Sequence, residues 1–175
     1  AYKGSNLPKS YWDWEPMLEN NKKGYFPYTP ATNLLYGLDE AINMLTEEGL
    51  ENVFARHKRF AEATRIAVNS WGLEILCKNP SEYSDSLTAV LVPAGHDADF
   101  LRKTILDNYN MSLGTGLAKV AGKVFRIGHL GDFNELMLAG TLAGVEMGLM
   151  KSKIPYQKGG ILKALELSLI HISEP

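Results

Sequence analysis

The sequence predicts an α/β fold in which an open sheet layer carries its helices mainly on one face. Three observations predict this fold. Helix-like periodicity fills residues 31–48 and 50–71, short strand-like runs are then interleaved with helical ones, and glycine or proline residues separate these elements. Amphipathic helices and half-buried strands that alternate along a chain usually share one core, with the helices packed on the sheet.

Composition excludes several classes of protein. The 175 residues suffice for a domain with a real core, and 45% hydrophobic with 22% charged residues is ordinary for a globular protein. The net charge of −2 argues against nucleic acid or an acidic membrane as a partner, and no apolar run reaches the length of a transmembrane helix. The single cysteine, Cys77, excludes an intrachain disulfide, argues against a structural zinc site and predicts a cytoplasmic protein.

Residues 1–24 are predicted to form a linker, one short helical stretch and a second linker, because glycine and proline interrupt them. This segment also carries Trp12 and Trp14. Either these side chains contact a segment absent from this chain, or they pack on the chain's own core. The residues alone leave both interpretations open.

A helix is predicted to begin at Thr29 and Pro30, which form an N-cap and N1 pair, and to end at Gly49. Its apolar residues recur on one face: Leu34, Leu38, Ala41, Ile42 and Leu45. The free amides and positive dipole end of such a helix, beside a threonine hydroxyl, form an anion site suited to phosphate. The alternative is that Thr29 caps only its own backbone, as most N-cap residues do.

A second helix is predicted over residues 50–71, with Gly72 ending it. Its buried stripe consists of Val53, His57, Phe60, Ala61, Thr64, Val68 and Trp71. Because His57 lies on that stripe, we expect a hydrogen-bonded core histidine and not a ligand.

Shorter elements follow. Residues 73–77 alternate as a half-buried strand, and Leu87 to Val92 is predicted as a strand covered on both faces. A third helix is predicted from about Asp97 to Tyr109, and residues 111–113 are predicted as a short strand. Gly114 and Gly116 then predict a flexible loop before the next strand.

The most informative strand is residues 123–128, because one arginine interrupts a run otherwise suited to burial. Phe125 and Ile127 point to one face of a strand, so Arg126 points to the other. There its guanidinium can present a fork of donors to a carboxylate, and the missing side chain of Gly128 leaves room for one. The alternative is a salt bridge between Arg126 and an acidic side chain of the same protein.

A long helix is predicted to follow this strand, with Asp132 as its N-cap and Glu135 completing a capping box. Gly140, Gly144 and Gly148 recur at four-residue spacing on this helix. They form one stripe without side-chain bulk, where another element can approach closely.

No G-x-G-x-x-G, P-loop, G-x-S-x-G or H-E-x-x-H motif is present in the sequence. Residues 167–175 do not continue the preceding helical pattern and match the translation of a transposase-type sequencing adapter. We interpret them as a non-native tail and the chain as a fragment of a longer gene.

Long ordered stretches resemble the C-terminal part of the serine–glyoxylate aminotransferases, within the class V pyridoxal-phosphate aminotransferase family. The matching segments span the chain to about Glu166: Tyr11–Trp14, Gly24–Gly37, Glu48–His57 and Gly122–Asp132. The resemblance implies the family's small C-terminal domain, a short and mostly antiparallel sheet with helices mainly on one face, preceded by interdomain helices. It implies a linker from a missing large cofactor-binding domain (1–30) and the small domain with its interdomain helix (31–166), which the non-native tail (167–175) follows.

The resemblance also implies roles for single residues. Arg126 would bind the α-carboxylate of the amino-acid or keto-acid substrate. Thr29, with Tyr28 and Phe26 nearby, would reach the phosphate of pyridoxal 5′-phosphate in the partner subunit of a homodimer, so that two subunits share the active site. The implied reaction transfers the amino group of serine to glyoxylate and gives hydroxypyruvate and glycine.

In this family the Schiff-base lysine lies upstream of the residue that matches Ala1, and no lysine of this sequence occupies its place. We therefore expect no catalytic residue in the chain, and neither covalent cofactor nor transamination by the chain alone. Two alternatives stay open. One is another class V aminotransferase, such as an alanine–glyoxylate or ureidoglycine-type enzyme. The other is a non-catalytic α/β domain that binds a small carboxylate with Arg126.

Overall fold

The computed structural model describes residues 4–170, with side-chain environments as far as Glu166. The chain divides into two compact units, Ala1–Glu48 and Gly49–Pro175. The first unit contains a short 3-10 turn (Ser10–Trp12), helix α1 (Trp14–Asn21) and helix α2 (Thr32–Glu48). The second contains four strands, four α-helices and two short 3-10 helices within its described residues.

None of the described residues in the first unit is buried. Trp12 and Trp14 expose 76% and 70% of their surface, so the described residues of their own unit do not bury them. Helix α2 forms as predicted, yet its apolar stripe is exposed as well. Local periodicity therefore established that the helix forms but not what covers it.

Helix α2 begins later than predicted. The amide of Leu35 donates to the carbonyl of Ala31 at 3.1 Å, which is the first helical hydrogen bond of this segment. Thr29 and Pro30 therefore precede the helix, and the prediction that they form its N-cap and N1 pair is wrong. The reason is an additional tight turn, in which the amide of Thr32 donates to the carbonyl of Pro30 at 2.9 Å.

The second unit packs its helices against an antiparallel sheet. Its elements are α3 (Leu50–Ser70), β1 (Glu74–Ile75), β2 (Leu87–Leu91), α4 (Ala98–Tyr109), β3 (Gly114–Thr115), β4 (Val124–Gly128), α5 (Glu135–Lys151) and α6 (Gly160–Ile170). The four strands lie in the order β1-β2-β4-β3, and every pairing is antiparallel. Helix α3 packs on β1 and β2, and helix α4 packs on β3 and β4. The predicted α/β layer with a mostly antiparallel sheet and helices mainly on one face is confirmed.

Two strand predictions need correction. Only Thr88 and Val90 are buried in β2, whereas the alternate positions are half-buried, so β2 is covered on one face and not on both. Strand β3 is Gly114–Thr115 and not residues 111–113. The Met111 side chain packs against α5 at Gly144 instead, because a long flexible thioether fills the space that this glycine leaves.

The start of α5 also differs from the prediction. Asn134 caps the helix by accepting a hydrogen bond from the amide of Met137 at 3.0 Å, so the prediction of Asp132 as N-cap is wrong. Arg56 of α3 donates to the carbonyls of Gly131 and Phe133 at 2.8 Å and 3.1 Å. These bonds from another helix hold residues 131–133 outside the helix.

Helix α6 extends through Ile170, so the expectation that residues 167–170 break the helical pattern is wrong for the backbone. Extending an existing helix by one turn is far easier than starting one, and leucine favours the helix. The rest of the predicted tail, residues 171–175, lies outside the described residues. Between residues 4 and 170, no helix is both long and apolar enough to cross a bilayer.

The glycine stripe on α5 is a packing surface at two of its three positions. A methyl group at Gly148 would overlap the Ile105 side chain of α4, and one at Gly144 would lie 2.6 Å from the Met111 side chain. Nothing lies within 4 Å of a methyl group at Gly140. The close approach of α4 and α5 therefore depends on Gly148, whereas Gly144 makes room for Met111 after α4 and Gly140 contributes to neither contact.

This difference predicts opposite effects for two matched substitutions. Gly148→Ala should lower the free energy of unfolding by about 1–2 kcal/mol, because overpacking costs more than the gain in helix propensity. Gly140→Ala should raise it by about 0.5–1 kcal/mol through helix propensity alone. Urea denaturation of both variants measures the two values. Equal effects would contradict the packing role assigned to the stripe.

Candidate functional site

Arg126 lies on the open face of the sheet, between small neighbours. Strand pairing places Ala89 of β2 and Gly114 of β3 directly opposite it, in the row Ala89–Arg126–Gly114. Residues paired across antiparallel strands point to the same face, so the two nearest cross-strand neighbours of the arginine carry a methyl group and a hydrogen atom. Phe125 and Ile127 point into the core and are fully buried. The predicted orientation of Arg126 is confirmed.

The guanidinium of Arg126 has no partner within the part of the chain that the structure describes. Its Nε atom is buried and makes no hydrogen bond, and no described acidic side chain forms an ion pair with it. Other described arginines of this unit do form ion pairs: Arg59 with Glu135 at 2.9 Å, Arg102 with Asp99 at 2.8 Å and Arg65 with Asp85 at 3.8 Å. The alternative of an internal salt bridge for Arg126 is therefore not found among residues 4–166.

The strand that carries Arg126 is held at its end by a buried histidine. His129 follows β4, and its amide donates to the carbonyl of Ser86 at 3.0 Å. Its ring bonds Thr88 through Nε2 at 2.9 Å and the carbonyl of Asp85 through Nδ1 at 3.1 Å. Because a carbonyl only accepts, Nδ1 carries the proton and Nε2 accepts from the Thr88 hydroxyl. Burial lowers the pKa of His129 from 6.5 to about 4, so the ring is neutral near pH 7.

Helix α4 fixes the edge strand β3, which pairs with β4 on the side opposite β2. The Thr115 hydroxyl donates to Asp99 at 3.0 Å, and Arg102 donates to the Leu113 carbonyl at 2.8 Å and to Asp99. The Thr115 hydroxyl, followed by Arg102, holds the pKa of Asp99 below its usual value. Both strands that flank Arg126 are therefore held by side-chain hydrogen bonds.

The segment after β4 is fixed by α3. His57 accepts a hydrogen bond from the amide of Gly131 at 3.0 Å through Nε2, and its Nδ1 donates to the carbonyl of Val53 at 2.7 Å. His57 is half-buried and fully hydrogen-bonded, as expected of a structural histidine. Together, the hydrogen bonds of His57 and Arg56 fix the path of residues 131–133, which follow the end of β4 at Gly128.

The residues predicted to bind a phosphate lie together in the first unit. Phe26, Tyr28 and Thr29 line an open cleft of about 340 Å³, which they share with Tyr11. The Tyr28 hydroxyl bonds the Ser10 hydroxyl at 2.9 Å, and its ring lies 5.4 Å from that of Tyr11. The remaining described residues of the lining carry no positive charge: Met17, Asn21, Pro27, Pro30 and Ala31. The cleft thus offers hydroxyl groups and an aromatic wall, but no cation.

Sequence reasoning did not identify Ala89 and Gly114 as neighbours of Arg126, or His129 as the residue that holds the end of its strand. His129 could have been found, since it continues the core-facing alternation of Phe125 and Ile127. Ala89 and Gly114 could not, because they become neighbours of Arg126 only through strand register. Among the described residues, no group of three or more His, Cys, Asp or Glu side chains is arranged to hold a metal ion.

Comparison with known proteins gives strong matches over most of the chain. The serine–glyoxylate aminotransferase of Methylorubrum extorquens is 51% identical over 157 residues, which is 90% of this chain and 39% of the relative. The L-aspartate–glyoxylate aminotransferase of Paracoccus denitrificans is 42% identical over 167 residues, which is 95% of this chain and 42% of the relative. The chain therefore spans about two-fifths of the length of these curated relatives. No family model matches the chain.

The fold is shared with solved aminotransferase structures. The ureidoglycine–glyoxylate aminotransferase of Bacillus subtilis superposes with a TM-score of 0.82 and 24% identity, over 96% of this chain and 44% of that structure. A C-terminal segment of such a protein fits both the matched length and the small-domain fold. High identity along nearly the whole chain, together with this shared fold, shows that the chain belongs to the class V aminotransferase family.

Proposed function

We propose that the complete protein transfers the amino group of serine to glyoxylate, and that this chain supplies the arginine that binds the substrate carboxylate. The observation that carries the proposal is the unpaired Arg126 guanidinium on the open face, between Ala89 and Gly114. The identity to a serine–glyoxylate aminotransferase supports the substrates. The products are then hydroxypyruvate and glycine.

The role of Arg126 follows from its charge and shape. A guanidinium offers two parallel N–H donors that match the two oxygens of a carboxylate, and these charge-assisted bonds fix the orientation of the bound acid. Arg126 is half-buried, so water screens the interaction less than at a fully exposed site. Because both amino acids and keto acids carry this carboxylate, one arginine serves the donor and the acceptor in turn.

Pyridoxal 5′-phosphate, when bound, supplies the electron sink that amino-group transfer requires. The cleft of Phe26, Tyr28 and Thr29 fits one wall of a phosphate site, since Tyr28 and Thr29, which line it, both carry hydroxyl groups. It lacks a positive charge, so other parts of the complete protein must neutralise the phosphate. We propose that Thr29 donates to this phosphate in the partner subunit of a cytoplasmic homodimer, with Tyr28 and Phe26 shaping the wall.

The Thr29 proposal predicts a selective loss of cofactor affinity. Thr29→Val keeps the size of the side chain but removes the hydroxyl, and the dissociation constant for pyridoxal phosphate should rise at least about tenfold. Thr46→Val is the matched control, because the Thr46 hydroxyl bonds only its own helix at Ile42 and Asn43. Absorbance titration of the complete apoprotein measures both constants. Equal affinities for the two variants would contradict the role of Thr29.

The amino donor needs its own test. Arg126 cannot discriminate between donors, because every amino acid presents the same carboxylate. The 42% identity to an L-aspartate–glyoxylate aminotransferase favours aspartate as the second candidate donor. Initial rates of the complete protein with serine, aspartate and alanine, each with glyoxylate, decide between them. A kcat/KM for aspartate or alanine above that for serine would overturn the proposed donor.

We expect the 175-residue chain alone to be inactive, because the family resemblance places the Schiff-base lysine in a part of the relatives that this chain does not span. Mixing the purified chain with pyridoxal phosphate should give no stoichiometric visible band that borohydride traps. A trapped band would show that the chain holds the cofactor by itself.

A further inference from the structure

We infer that Gly114 is a positioning residue for Arg126, because its missing side chain lets the arginine lie across the edge strand β3. This inference rests on the proposed carboxylate-binding role of Arg126. It adds a second residue that determines where the guanidinium is presented.

The geometry of the Arg126 side chain carries the inference. A methyl group at Gly114 would lie 3.0 Å from both Cβ and Nε of Arg126, and 3.5 Å from Cζ. The same methyl position is therefore close to Cβ, where the side chain begins, and to Nε of the guanidinium group. The arginine side chain must curve over Gly114 for both atoms to be this near. Favourable carbon contacts need about 3.5–4.0 Å, so the methyl group would fit only if the Arg126 side chain shifted by a few tenths of an ångström.

The requirement for glycine at this position does not come from the backbone. Gly114 has no positive φ, so an alanine meets no backbone strain there. Gly116 differs, since a methyl group there would overlap the Val120 carbonyl oxygen and lie 3.0 Å from that of Val124. Gly116 is therefore required by the turn itself, whereas the described close neighbour of a Gly114 side chain is Arg126.

The edge strand cannot easily move away from an added methyl group. Thr115 is bonded to Asp99 at 3.0 Å, and the Leu113 carbonyl accepts from Arg102 at 2.8 Å, so α4 holds both neighbours of Gly114. Strand β4 is held by its pairing with β2 over its full length. The flexible outer part of the arginine side chain must therefore shift, which displaces its guanidinium from the position proposed for binding the substrate carboxylate.

The test is a double-mutant cycle in the complete aminotransferase, with Gly114→Ala, Arg126→Ala and the double variant. Gly114→Ala should raise KM for serine and for glyoxylate about tenfold, with a smaller change in kcat. In a protein that already carries Arg126→Ala, the added Gly114→Ala substitution should change KM by less than about twofold. Two substitutions that act through one side chain are not additive. Gly140→Ala, at an open helix position, serves as the control for adding a methyl group.

Thermal unfolding of the same four proteins keeps the test decisive if Gly114→Ala folds poorly. The loss of Tm caused by Gly114→Ala should be smaller when Arg126 is alanine, since the contacts with Nε and Cζ are then removed and only the contact with Cβ remains. Equal fold-changes in KM and equal losses of Tm in the two backgrounds would overturn the inference, as would an unchanged KM for Gly114→Ala. If Arg126→Ala itself keeps wild-type KM and kcat, the proposed function fails, which is a distinguishable result.

Discussion

Replacing Arg126 with alanine should lower kcat/KM of the complete protein for the proposed reaction by about 100-fold or more. Removing one partner of a desolvated, hydrogen-bonded charge pair costs about 2–5 kcal/mol, and each 1.4 kcal/mol is about a tenfold change. The size of the effect follows from the guanidinium being half-buried and unpaired within the described chain, so that its donors are free for a ligand. Steady-state kinetics with serine and glyoxylate measure the loss.

Two further variants separate charge from shape. Arg126→Lys keeps the positive charge but loses the fork of donors, so it should recover only part of kcat/KM. Lys103→Ala removes an exposed positive charge that pairs with Asp107 on helix α4, and it should leave kcat/KM unchanged. If Lys103→Ala lowered kcat/KM as much as Arg126→Ala, the effect would come from the net charge of the protein and not from a binding site at Arg126. A wild-type rate for Arg126→Ala would remove this residue from the site.

Acidification should destabilise the second unit through His129. The unfolded chain binds the histidine proton with a pKa of 6.5 and the folded chain with a pKa of about 4, because the ring is buried. The unfolded state therefore binds more protons between these values, and stability must fall as the pH falls. The contribution is complete above pH 6.5 and is lost towards pH 4. The free energy of unfolding should decrease by about 3 kcal/mol over this range.

Urea denaturation at several pH values between 7.5 and 4 tests this result. His129→Gln should be less stable than wild type at pH 7.5, because it loses the ring that bonds Thr88 and Asp85. It should also lose this part of the pH dependence. The difference between the two proteins isolates His129, since carboxylates such as Asp99 titrate in both. Parallel curves for wild type and His129→Gln would show that His129 does not cause the slope.

This pH dependence bears on the proposed site. Protonating the ring removes the acceptor at Nε2, which now bonds the Thr88 hydroxyl, and so weakens the contact between the end of β4 and β2. Arg126 lies on the same strand and is paired with Ala89 of β2. Substrate binding should therefore weaken in the same pH range in which the second unit loses stability.

The sequence alone determined the features that depend on local periodicity. It was sufficient to predict the α/β class, the long helices α2 to α5, and a strand in which Phe125 and Ile127 face the core while Arg126 faces away. Side-chain direction alternates along a strand and repeats along a helix, so neighbouring residues already contain this information. Family resemblance added a proposed role for the arginine, because long ordered matches are more specific than any short motif.

Only the tertiary structure decided which residues surround that arginine. Strand register brought Ala89 and Gly114 to its sides, and His129 to the end of β2 at Thr88. The same kind of long-range contact explains the corrections, since bonds from Arg56 of α3 displaced the start of α5, and one-sided helix packing left the outer face of β2 half-exposed. Strand pairing and burial depend on interactions between residues far apart in the chain. Local sequence patterns carry no information about these interactions.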